Sequence, residues 1–515
     1  MKRKEIIKLL LITAFLITCC IFLISCSNNN MKYVNDDEDC LVWWSQNRYS
    51  HVNNMADSVV YLKLSEETGV NFTFEHPPKG EHRERFLVMN STEDLPDIIS
   101  HDFINDYPGG VEKALDDGLI IPLNDIIDKY CPNMKAMLEV RPDILNYIST
   151  SDGRIFCFPS LQLEREIRTY MGPFIRKDIL DKTGLGIPET VDEWYEMLVA
   201  MKKVTGSEPF SFYGGKFMDT DFLIGAYGLS WGLYIDDSGQ IHYGAMEEAF
   251  EDFILELKRW YDEGLISSGI FTDSVSVYQA KARKGRNYVY IDYLSAIETY
   301  QSSLREIDEE ALLIPVGYPV LEKEKKAFSG HIAPVFSPYG SAYVTSANEH
   351  LVETARLLDY AYSSEGNLLF NFGIEGITYE IVNGNPVYMQ YLYNSKIGFT
   401  EEIKKYLAIG PYIRDYRQFN QMMTTNEQKN AVELWNNTDA STHELPWIPL
   451  NGEESTLVGY FLNSSDEILL DWLKGFFTVG RKAMTFEQLR NELQDARVDE
   501  VIAVLQKNLD EMADE

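Results

Sequence analysis

A serine framed by glycines is the first pattern in this chain that could do chemistry. The segment GLSWG (228–232) has the spacing of a hydrolase nucleophile elbow around Ser230. Such an elbow needs a strand before the serine and a helix after it, with an acid and a histidine further along. The residues after Ser230 alternate instead as a hairpin with its turn at 237–239. The sequence therefore argues against an esterase.

Other ionisable side chains give no firmer sign of catalysis. Glu164 and Glu166 alternate in sequence, and Asp236 and Asp237 are adjacent. A glycosidase holds two carboxylates on opposite sides of the bond that it cleaves, and pairs this close in sequence rarely do so. We expect salt bridges from LEREIR (163–168), the segment that holds the first pair, and a turn at the second pair. The eight histidines show no HExxH, Cys–His or EF-hand spacing, so the sequence predicts no metal ion.

The elements that would position functional side chains begin with alternating strands and helices. CLVWWSQ (40–46), VNFTFEH (70–76) and DLPDIIS (94–100) predict strands, and a helix is predicted around 55–67. This alternation is typical of a parallel, doubly wound sheet. Ligands of such sheets collect beyond the carboxyl ends of the strands.

Capping signals bound two long helices further along the chain. Thr190 with Glu193 predicts a capping box at the start of one helix, and Gly206 predicts its end. The other helix is predicted over 246–263, where large apolar residues recur at helical spacing. After residue 399 the pattern is largely helical.

The N-terminus has the order of a secretory signal, with basic residues at 2–4 and an apolar run over 6–24. That run is almost long enough to be a transmembrane helix. However, it ends in LISC (23–26), which resembles the lipobox of bacterial lipoproteins, where a small residue precedes the cysteine that is lipidated. We therefore expect cleavage before Cys26, lipid on its thiol, and anchoring at the outer face of the cytoplasmic membrane.

Composition limits the partners and the covalent links. The net charge is −34 at pH 7, and so acidic a surface repels nucleic acid and anionic lipid head groups. The length of 515 residues allows two or three domains. Beyond Cys26, the cysteines are Cys40, Cys131 and Cys157, which cannot all pair. One disulfide is allowed, but buried free thiols are the favoured interpretation.

Four segments resemble, in order, the signatures of one protein family. They are SDGRIFCFP (151–159), FIRKDILDKTGLGIPETVDEWYEML (174–198), LKRWYDEGLI (257–266) and YAYSSEGNLLFNFGIEGITYEIVNGNPVY (360–388). The chain is similar to bacterial extracellular solute-binding proteins of family 1, in particular to the long lipoproteins that serve oligosaccharide ABC transporters in Gram-positive bacteria. One such block would be weak support, but four in the family's order behind a lipobox are specific.

The resemblance implies an α/β fold, the type II clamshell of periplasmic binding proteins. In that fold two discontinuous α/β lobes are joined by a hinge and close around a ligand. Hinge crossings would lie near 159–170 and 314–330. The implied organisation is a signal peptide at 1–25, a flexible tether at 26–39, lobe 1 at 40–165 and 328–380, and lobe 2 at 166–327 and 381–515.

The candidate ligand residues of this clamshell are aromatic and polar side chains at strand ends, near the hinge and in loops. Sugars present flat C–H faces to aromatic rings and hydroxyls to amides and carboxylates. The candidates are Trp44, Gln46, Asn47, His101, Asp102, Tyr170, Trp231, Asp292, Tyr293 and Trp447. Some could instead be core residues. Successive side chains of a strand point to opposite faces, so one of Trp43 and Trp44 is expected inside, and Trp231 and Tyr293 could be buried too.

The resemblance thus implies a monomeric, lipid-anchored subunit of an ABC importer. It would bind an oligosaccharide between its lobes and deliver it to permease subunits in the membrane, with the ATPase on a separate chain. It implies neither catalysis nor a cofactor. A second hypothesis is a surface lipoprotein that holds glycan as an adhesin or for a sensor kinase without feeding a transporter.

Overall fold

The computed structural model describes residues 40–91, 95–480 and 484–514. The predicted signal peptide, Cys26 and the predicted tether lie outside these ranges. From Leu41 onward the chain forms one unit.

Short strands and many helices make up the described ranges. The strands are β1 (Leu41–Ser45), β2 (Phe72–Glu75), β3 (Ile98–Ser100), β4 (Met171–Arg176), β5 (Phe210–Ser211), β6 (Leu233–Ile235), β7 (Ile241–Tyr243), β8 (Val289–Tyr293), β9 (Leu313–Pro315), β10 (Tyr343–Val344), β11 (Tyr379–Val382) and β12 (Asn385–Tyr388). The α-helices are α1 (Val59–Thr68), α2 (His82–Met89), α3 (Phe103–Asp106), α4 (Gly110–Asp116), α5 (Asn124–Tyr130), α6 (Pro132–Val140), α7 (Leu145–Ile148), α8 (Arg165–Arg168), α9 (Lys177–Thr183), α10 (Val191–Thr205), α11 (Gly214–Asp219), α12 (Ala249–Asp262), α13 (Val275–Arg283), α14 (Leu294–Arg305), α15 (Leu351–Asp359), α16 (Ser364–Phe372), α17 (Gln390–Tyr393), α18 (Phe399–Ile403), α19 (Tyr416–Met422), α20 (Asn426–Trp435), α21 (Ala440–His443), α22 (Gly452–Thr478), α23 (Phe486–Asp495) and α24 (Val498–Asp514).

The first sheet has the strand order β10-β3-β1-β2. β1 pairs in parallel with β2 and with β3, as the alternation of strand and helix predicts, whereas β10 lies antiparallel beside β3. Leu41, Trp43 and Trp44 of β1 are all buried, as expected for a strand covered on both faces. The carboxyl ends of β1 and β3 therefore lie side by side at one edge.

The second sheet has the order β5-β8-β4-β9. β4 runs antiparallel to β8 and β9, and β5 pairs in parallel with β8. Met171 at the start of β4 is in register with Tyr293 at the end of β8. Side chains that flank these two positions therefore share one edge of the second sheet.

The local signals of the middle of the chain are confirmed. Thr190 and Glu193 form the predicted capping box at the start of α10, and Gly206 ends that helix with a left-handed backbone, φ 71°. The helix predicted over 246–263 is α12. β6 and β7 form the predicted hairpin.

Two large hydrophobic cores lie on either side of a set of connecting segments. The first core combines buried residues from Leu41 to Leu161 with others from Phe336 to Ala408. The second core combines buried residues from Ile167 to Ala327 with others from Phe419 to Leu505. Each core surrounds one of the two sheets, so the fold has two α/β lobes.

The stretch around Ala408 belongs to a different lobe from the one expected from the sequence. The expected organisation assigns 381–515 to lobe 2, whereas Ala408 is buried in the first core. The Tyr61 hydroxyl donates to the carbonyl of Ile409, and the N–H of Ile409 donates to the Tyr61 oxygen. These contacts tie the stretch to α1, and no local sequence pattern reveals them.

Three segments connect the two cores. The first, 158–168, ends in the short helix α8 and lies beside the second, 333–342, with Phe158 and Leu161 in antiparallel register with Ala342 and Phe336. In the third segment, Ile413 lies in parallel register with Leu161. The connections are therefore packed side by side.

The second crossing lies further along the chain than expected. The expectation was 314–330, but Ile314 belongs to β9 of the second sheet and Ala327 is buried in the second core. The chain completes its pairing with β4 before it leaves the second core. The first crossing overlaps the expected 159–170.

The described ranges contain no disulfide among their cysteines, no membrane-spanning helix and no cluster of metal ligands. No disulfide joins Cys40, Cys131 and Cys157 to one another in these ranges. No described helix combines the length and the apolar character needed to cross a membrane. Within the same ranges, no three or more His, Cys, Asp or Glu side chains are grouped to hold a metal ion.

Candidate functional site

The edge of the second sheet carries a partly exposed pair of tyrosines. Tyr170 precedes β4 and Tyr293 ends β8, and their rings stack with centroids 6.1 Å apart and planes inclined by 17°. Tyr293 keeps 37% of its surface exposed, and Tyr170 is half-buried. The ring of His331 meets Tyr170 edge-on at 4.6 Å. The two tyrosines, both named from the sequence, offer an aromatic surface suited to the C–H face of a sugar ring.

Asp292, the other candidate on β8, is buried beneath this edge. Its carboxylate accepts a hydrogen bond of 2.5 Å from the Tyr300 hydroxyl. It also accepts the backbone N–H of Tyr293 at 2.8 Å. Asp292 therefore fixes the end of β8 and supports the tyrosine beside it.

The corresponding edge of the first sheet is closed. Trp44 is buried, and the rings of Phe86 and His101 lie 6.3 Å and 5.7 Å from it. His101 is itself buried, and the ring of Tyr339 from the second crossing meets it edge-on at 5.5 Å. These contacts leave Trp44 and His101 little surface for a ligand.

Asp106 collects the polar contacts at this closed edge. Its oxygens lie 2.9 Å from Nε2 of His101 and 2.8 Å from Nε of Arg83, and the Tyr339 hydroxyl donates to it at 3.4 Å. Burial alone would raise the pKa of Asp106, but its contacts with His101 and the charge of Arg83 outweigh burial and lower that pKa. Asp106 is therefore an ionised anchor for the edge.

The polar candidates of the first lobe hold the backbone around them. Asp102 accepts two backbone N–H groups at the start of α3, at 3.1 Å and 3.0 Å, and burial raises its pKa. Asn47 accepts the N–H of Tyr49 at 2.9 Å and donates to two carbonyls of the loop after β1. Gln46 is half-buried before it.

Trp231 lies in the second core and not at the edge of a sheet. It is buried, and its ring packs against Phe217, Phe250 and Phe253 at centroid distances of 5.9, 5.7 and 5.2 Å. In this position Trp231 has no open ring face on which a sugar could stack.

The GLSWG segment has a structural role in the second lobe. The Ser230 hydroxyl donates to Asp221 at 2.9 Å, and the N–H of Trp231 donates to the same carboxylate at 3.0 Å. Burial raises the pKa of Asp221 to about 6, although these two hydrogen bonds act to lower it. The β6–β7 hairpin follows, and Asp236 accepts backbone N–H groups in its turn. The serine thus lacks the helix of an elbow.

A cavity of about 690 Å³ lies between the two cores, a volume typical of ligand pockets. One wall comes from the first lobe, with Ile104, Phe156 and Phe336, and the other from the loop before α22 and α22 itself, with Ile448 and Val458. Two candidates from the sequence, Asp102 and Trp447, meet in its lining.

The loop that carries Trp447 is tied to the first crossing. Arg168 of α8 donates through Nε to the carbonyl of Ala333 at 2.5 Å and forms an ion pair with Glu444, which lines the cavity. The Arg168 side chain is only 8% exposed, so solvent screens the pair weakly. The ion pair therefore joins the first crossing to the cavity wall.

Sequence reasoning missed Arg168 and Glu444 as site residues. It expected interlobe salt bridges from the LEREIR segment (163–168), and Arg168 of that segment does form a buried ion pair, but neither residue was named as part of the site. The partner of Arg168 lies 276 residues further along the chain. Only the folded connection between the lobes brings the two together, so no spacing in the sequence could have shown the pair.

The family is decided by a match over the greater part of the chain. Residues 54–368 match the family model described as bacterial extracellular solute-binding protein. The chain belongs to this family. The resemblance found in the sequence is thereby confirmed. The family is one of solute-binding proteins.

Curated relatives of this solute-binding protein align over part of their length. The fructooligosaccharide ABC transporter substrate-binding protein FusA of Streptococcus pneumoniae is 26% identical over 337 residues, which cover 62% of this chain and 60% of FusA. Lipoprotein LipO of Bacillus subtilis is 25% identical over 346 residues, which cover 64% of this chain and 66% of LipO. The chain thus spans less than two thirds of either relative.

Solved structures resemble this solute-binding protein over nearly its whole length. The alginate-binding protein AlgQ2 superposes with a TM-score of 0.76 at 22% identity, covering 92% of this chain and 98% of AlgQ2. FusA in complex with kestose gives a TM-score of 0.73 at 20% identity, covering 92% and 100%. These similarities confirm the fold, a type II periplasmic-binding-protein-like α/β clamshell.

Proposed function

We propose that this protein is the extracellular binding subunit of an ABC importer, which takes an oligosaccharide between its lobes and delivers it to a membrane permease. The observation that carries the proposal is the cavity of about 690 Å³ with walls from both cores. A ligand there contacts both lobes, so it favours the closed state by its differential affinity for that state. The permease then distinguishes loaded from empty protein.

We propose Tyr170, Tyr293, Asp102 and Trp447 as the ligand residues among the sequence candidates. The tyrosine pair is partly exposed at a sheet edge, and the other two line the cavity. The remaining candidates would act as support: Trp44, Gln46, Asn47, His101, Trp231 and Asp292. Lobe 1 would comprise 40–165 and 333–380, extended by the stretch around Ala408, and lobe 2 the rest of 166–515.

A saccharide is the ligand class that the relatives favour. FusA is named for fructooligosaccharides, AlgQ2 for alginate, and a further relative of Bacillus subtilis for polygalacturonan and rhamnogalacturonan. The named saccharides differ in charge and linkage, so they support a saccharide ligand without indicating which one.

The first experiment measures melting temperature against fructooligosaccharides, alginate oligomers and oligogalacturonides. A ligand at a hundredfold excess over its Kd should add about 2.7 kcal/mol to the free energy of unfolding. Tyr293→Ala should weaken the shift, and Tyr130→Ala, an exposed tyrosine on α5, should leave it intact. If peptides shift the melt and no carbohydrate does, the sugar assignment fails.

Transport is tested separately from binding. Deletion of the gene should abolish uptake of the sugar that binds, and restored expression should recover it. Normal uptake with lost adhesion to glycan would instead support the adhesin or sensor hypothesis.

We further propose a lipid anchor on Cys26 and a location at the outer face of the membrane. Cys26→Ala should release the protein into the medium with unchanged sugar affinity. The matched control is Cys20→Ala, which changes a leader cysteine outside the lipobox and should leave the protein on the membrane. Retention of Cys26→Ala after washing would contradict the anchor.

A further inference from the structure

The cavity between the cores is lined mainly by apolar side chains. Phe156 and Phe336 contribute from the first lobe, and Ile448, Val458 and Leu462 contribute from the loop before α22 and from α22. An unsubstituted oligosaccharide carries hydroxyls on most of its ring carbons, and hydroxyls buried without partners are unfavourable. The lining therefore matches an apolar group better than a bare sugar.

Three acidic or hydroxyl side chains in the same lining, those of Asp102, Glu444 and Thr150, are already engaged by the protein. Asp102 accepts two backbone N–H groups and the Asn105 amide. Glu444 pairs with Arg168. The Thr150 hydroxyl donates to the Asp152 carboxylate. A sugar in this space would compete with these contacts.

The indole N–H of Trp447, unlike these polar groups, is not engaged by another described residue. Its Nε1 is buried and has no hydrogen-bond partner among the described residues. Its ring lies edge-on to Phe336, with centroids 6.1 Å apart. A buried indole N–H normally finds an acceptor, and here a ligand could supply one.

We propose that the cavity binds an apolar substituent of the saccharide, an aryl or aromatic acyl group with one hydrogen-bond acceptor. The proposal rests on the proposed function, because the sugar itself would lie at the edge formed by Tyr170 and Tyr293. The acceptor, such as an ester carbonyl, takes the N–H of Trp447, and the aromatic ring lies against Phe336 and Val458. The substrate class is therefore a substituted oligosaccharide.

The test compares matched probes by isothermal titration calorimetry on the full mature protein. Each sugar that binds is presented as its methyl glycoside and as its 4-nitrophenyl glycoside, and ethyl ferulate is titrated alone. We expect the nitrophenyl form to bind at least tenfold more tightly than the methyl form, and ethyl ferulate to bind saturably. If sugars bind while neither result is seen, this proposal is overturned and the proposed function stands. If no sugar binds, the proposed function fails first.

Gly459 of α22 offers a variant that fills the cavity. It lines the cavity, and a Cβ at this position would meet no atom within 4 Å. Gly459→Phe should weaken ethyl ferulate binding at least tenfold, because the ring occupies the same space. Gly459→Ala removes the same helix glycine but leaves the space, and should retain binding. Unchanged ferulate affinity in Gly459→Phe would overturn the proposal.

Trp447→Phe separates the donor from the ring. It keeps an aromatic side chain and removes the N–H, so ethyl ferulate should bind about threefold to tenfold more weakly. Ethylbenzene, which has no acceptor, should bind both proteins equally. An equal loss for the two probes would contradict the hydrogen bond to Trp447.

Discussion

The two sheets present very different edges at equivalent positions. Trp44 near the end of β1 and His101 directly after β3 are 3% and 2% exposed, whereas Tyr293 at the end of β8 is 37% exposed. The difference comes from what covers them. Phe86 and Tyr339 close the first edge, and the second edge carries the stack of Tyr170 and Tyr293. A position at a strand end is therefore not sufficient for a residue to contact a ligand.

Because of this difference, we expect substitutions at the two edges to affect different properties, stability at the first and ligand affinity at the second. The edge of the first lobe is packed and hydrogen-bonded around Trp44 and His101, so substitutions of these two residues should reduce the stability of the fold. The second lobe offers a partly exposed aromatic surface, so substitutions at its edge should reduce affinity and leave stability nearly intact.

Trp44→Ala should produce the largest effect. Removing a buried tryptophan leaves a cavity, and we expect the free energy of unfolding to fall by about 3 to 5 kcal/mol. Urea denaturation followed by circular dichroism measures it. Tyr293→Ala is the matched control, expected to change stability by less than about 1 kcal/mol. A Trp44→Ala protein of normal stability that has lost its ligand would show that the two edges are alike.

Asp221→Asn should test the interior of the second lobe through pH. Because the pKa of Asp221 is raised to about 6 in the folded protein, the folded state binds a proton that the unfolded state releases between about pH 4 and 6. Wild-type stability should therefore fall as pH rises from about 4.5 to 7, by up to about 2 kcal/mol. Asn cannot ionise, so the variant should lose this part of the slope in thermal melts. An unchanged slope would contradict the role of Asp221.

Asp106→Asn should show the opposite pH behaviour in the first lobe. Its folded pKa lies below the ordinary value, so its contribution is present at neutral pH and is lost as pH falls through the folded pKa. At pH 7 the variant should be less stable by about 1 to 2 kcal/mol, since the contacts with His101 and Arg83 weaken. The gap to wild type should close below about pH 4. A gap that stays constant down to pH 3 would refute the assignment.

The sequence predicted those parts of the fold that depend on local pattern. The parallel strands around Trp44, the capping box at Thr190 and the β6–β7 hairpin all follow from periodicity and caps within a few residues. It could not show that Trp44 is buried and Tyr293 exposed, because the side chains that cover a strand end come from distant parts of the chain. Tyr339, which covers His101 beside Trp44, lies more than 200 residues further along. For the same reason it could not name Glu444 as the partner of Arg168, and it placed the second crossing too early.

Tyr293→Ala gives the smallest change in free energy and the most direct reading of the open edge. An aromatic stack contributes about 0.5 to 1.5 kcal/mol, so affinity for the bound sugar should fall about twofold to tenfold. Tyr293→Phe keeps the ring and its stack on Tyr170, and should retain most of the affinity. Calorimetric titration of both variants with the sugar found by thermal shift provides the measurement. If the alanine variant binds normally, the ligand does not use this edge, and the closed edge of the first lobe would have to be reconsidered as the binding surface.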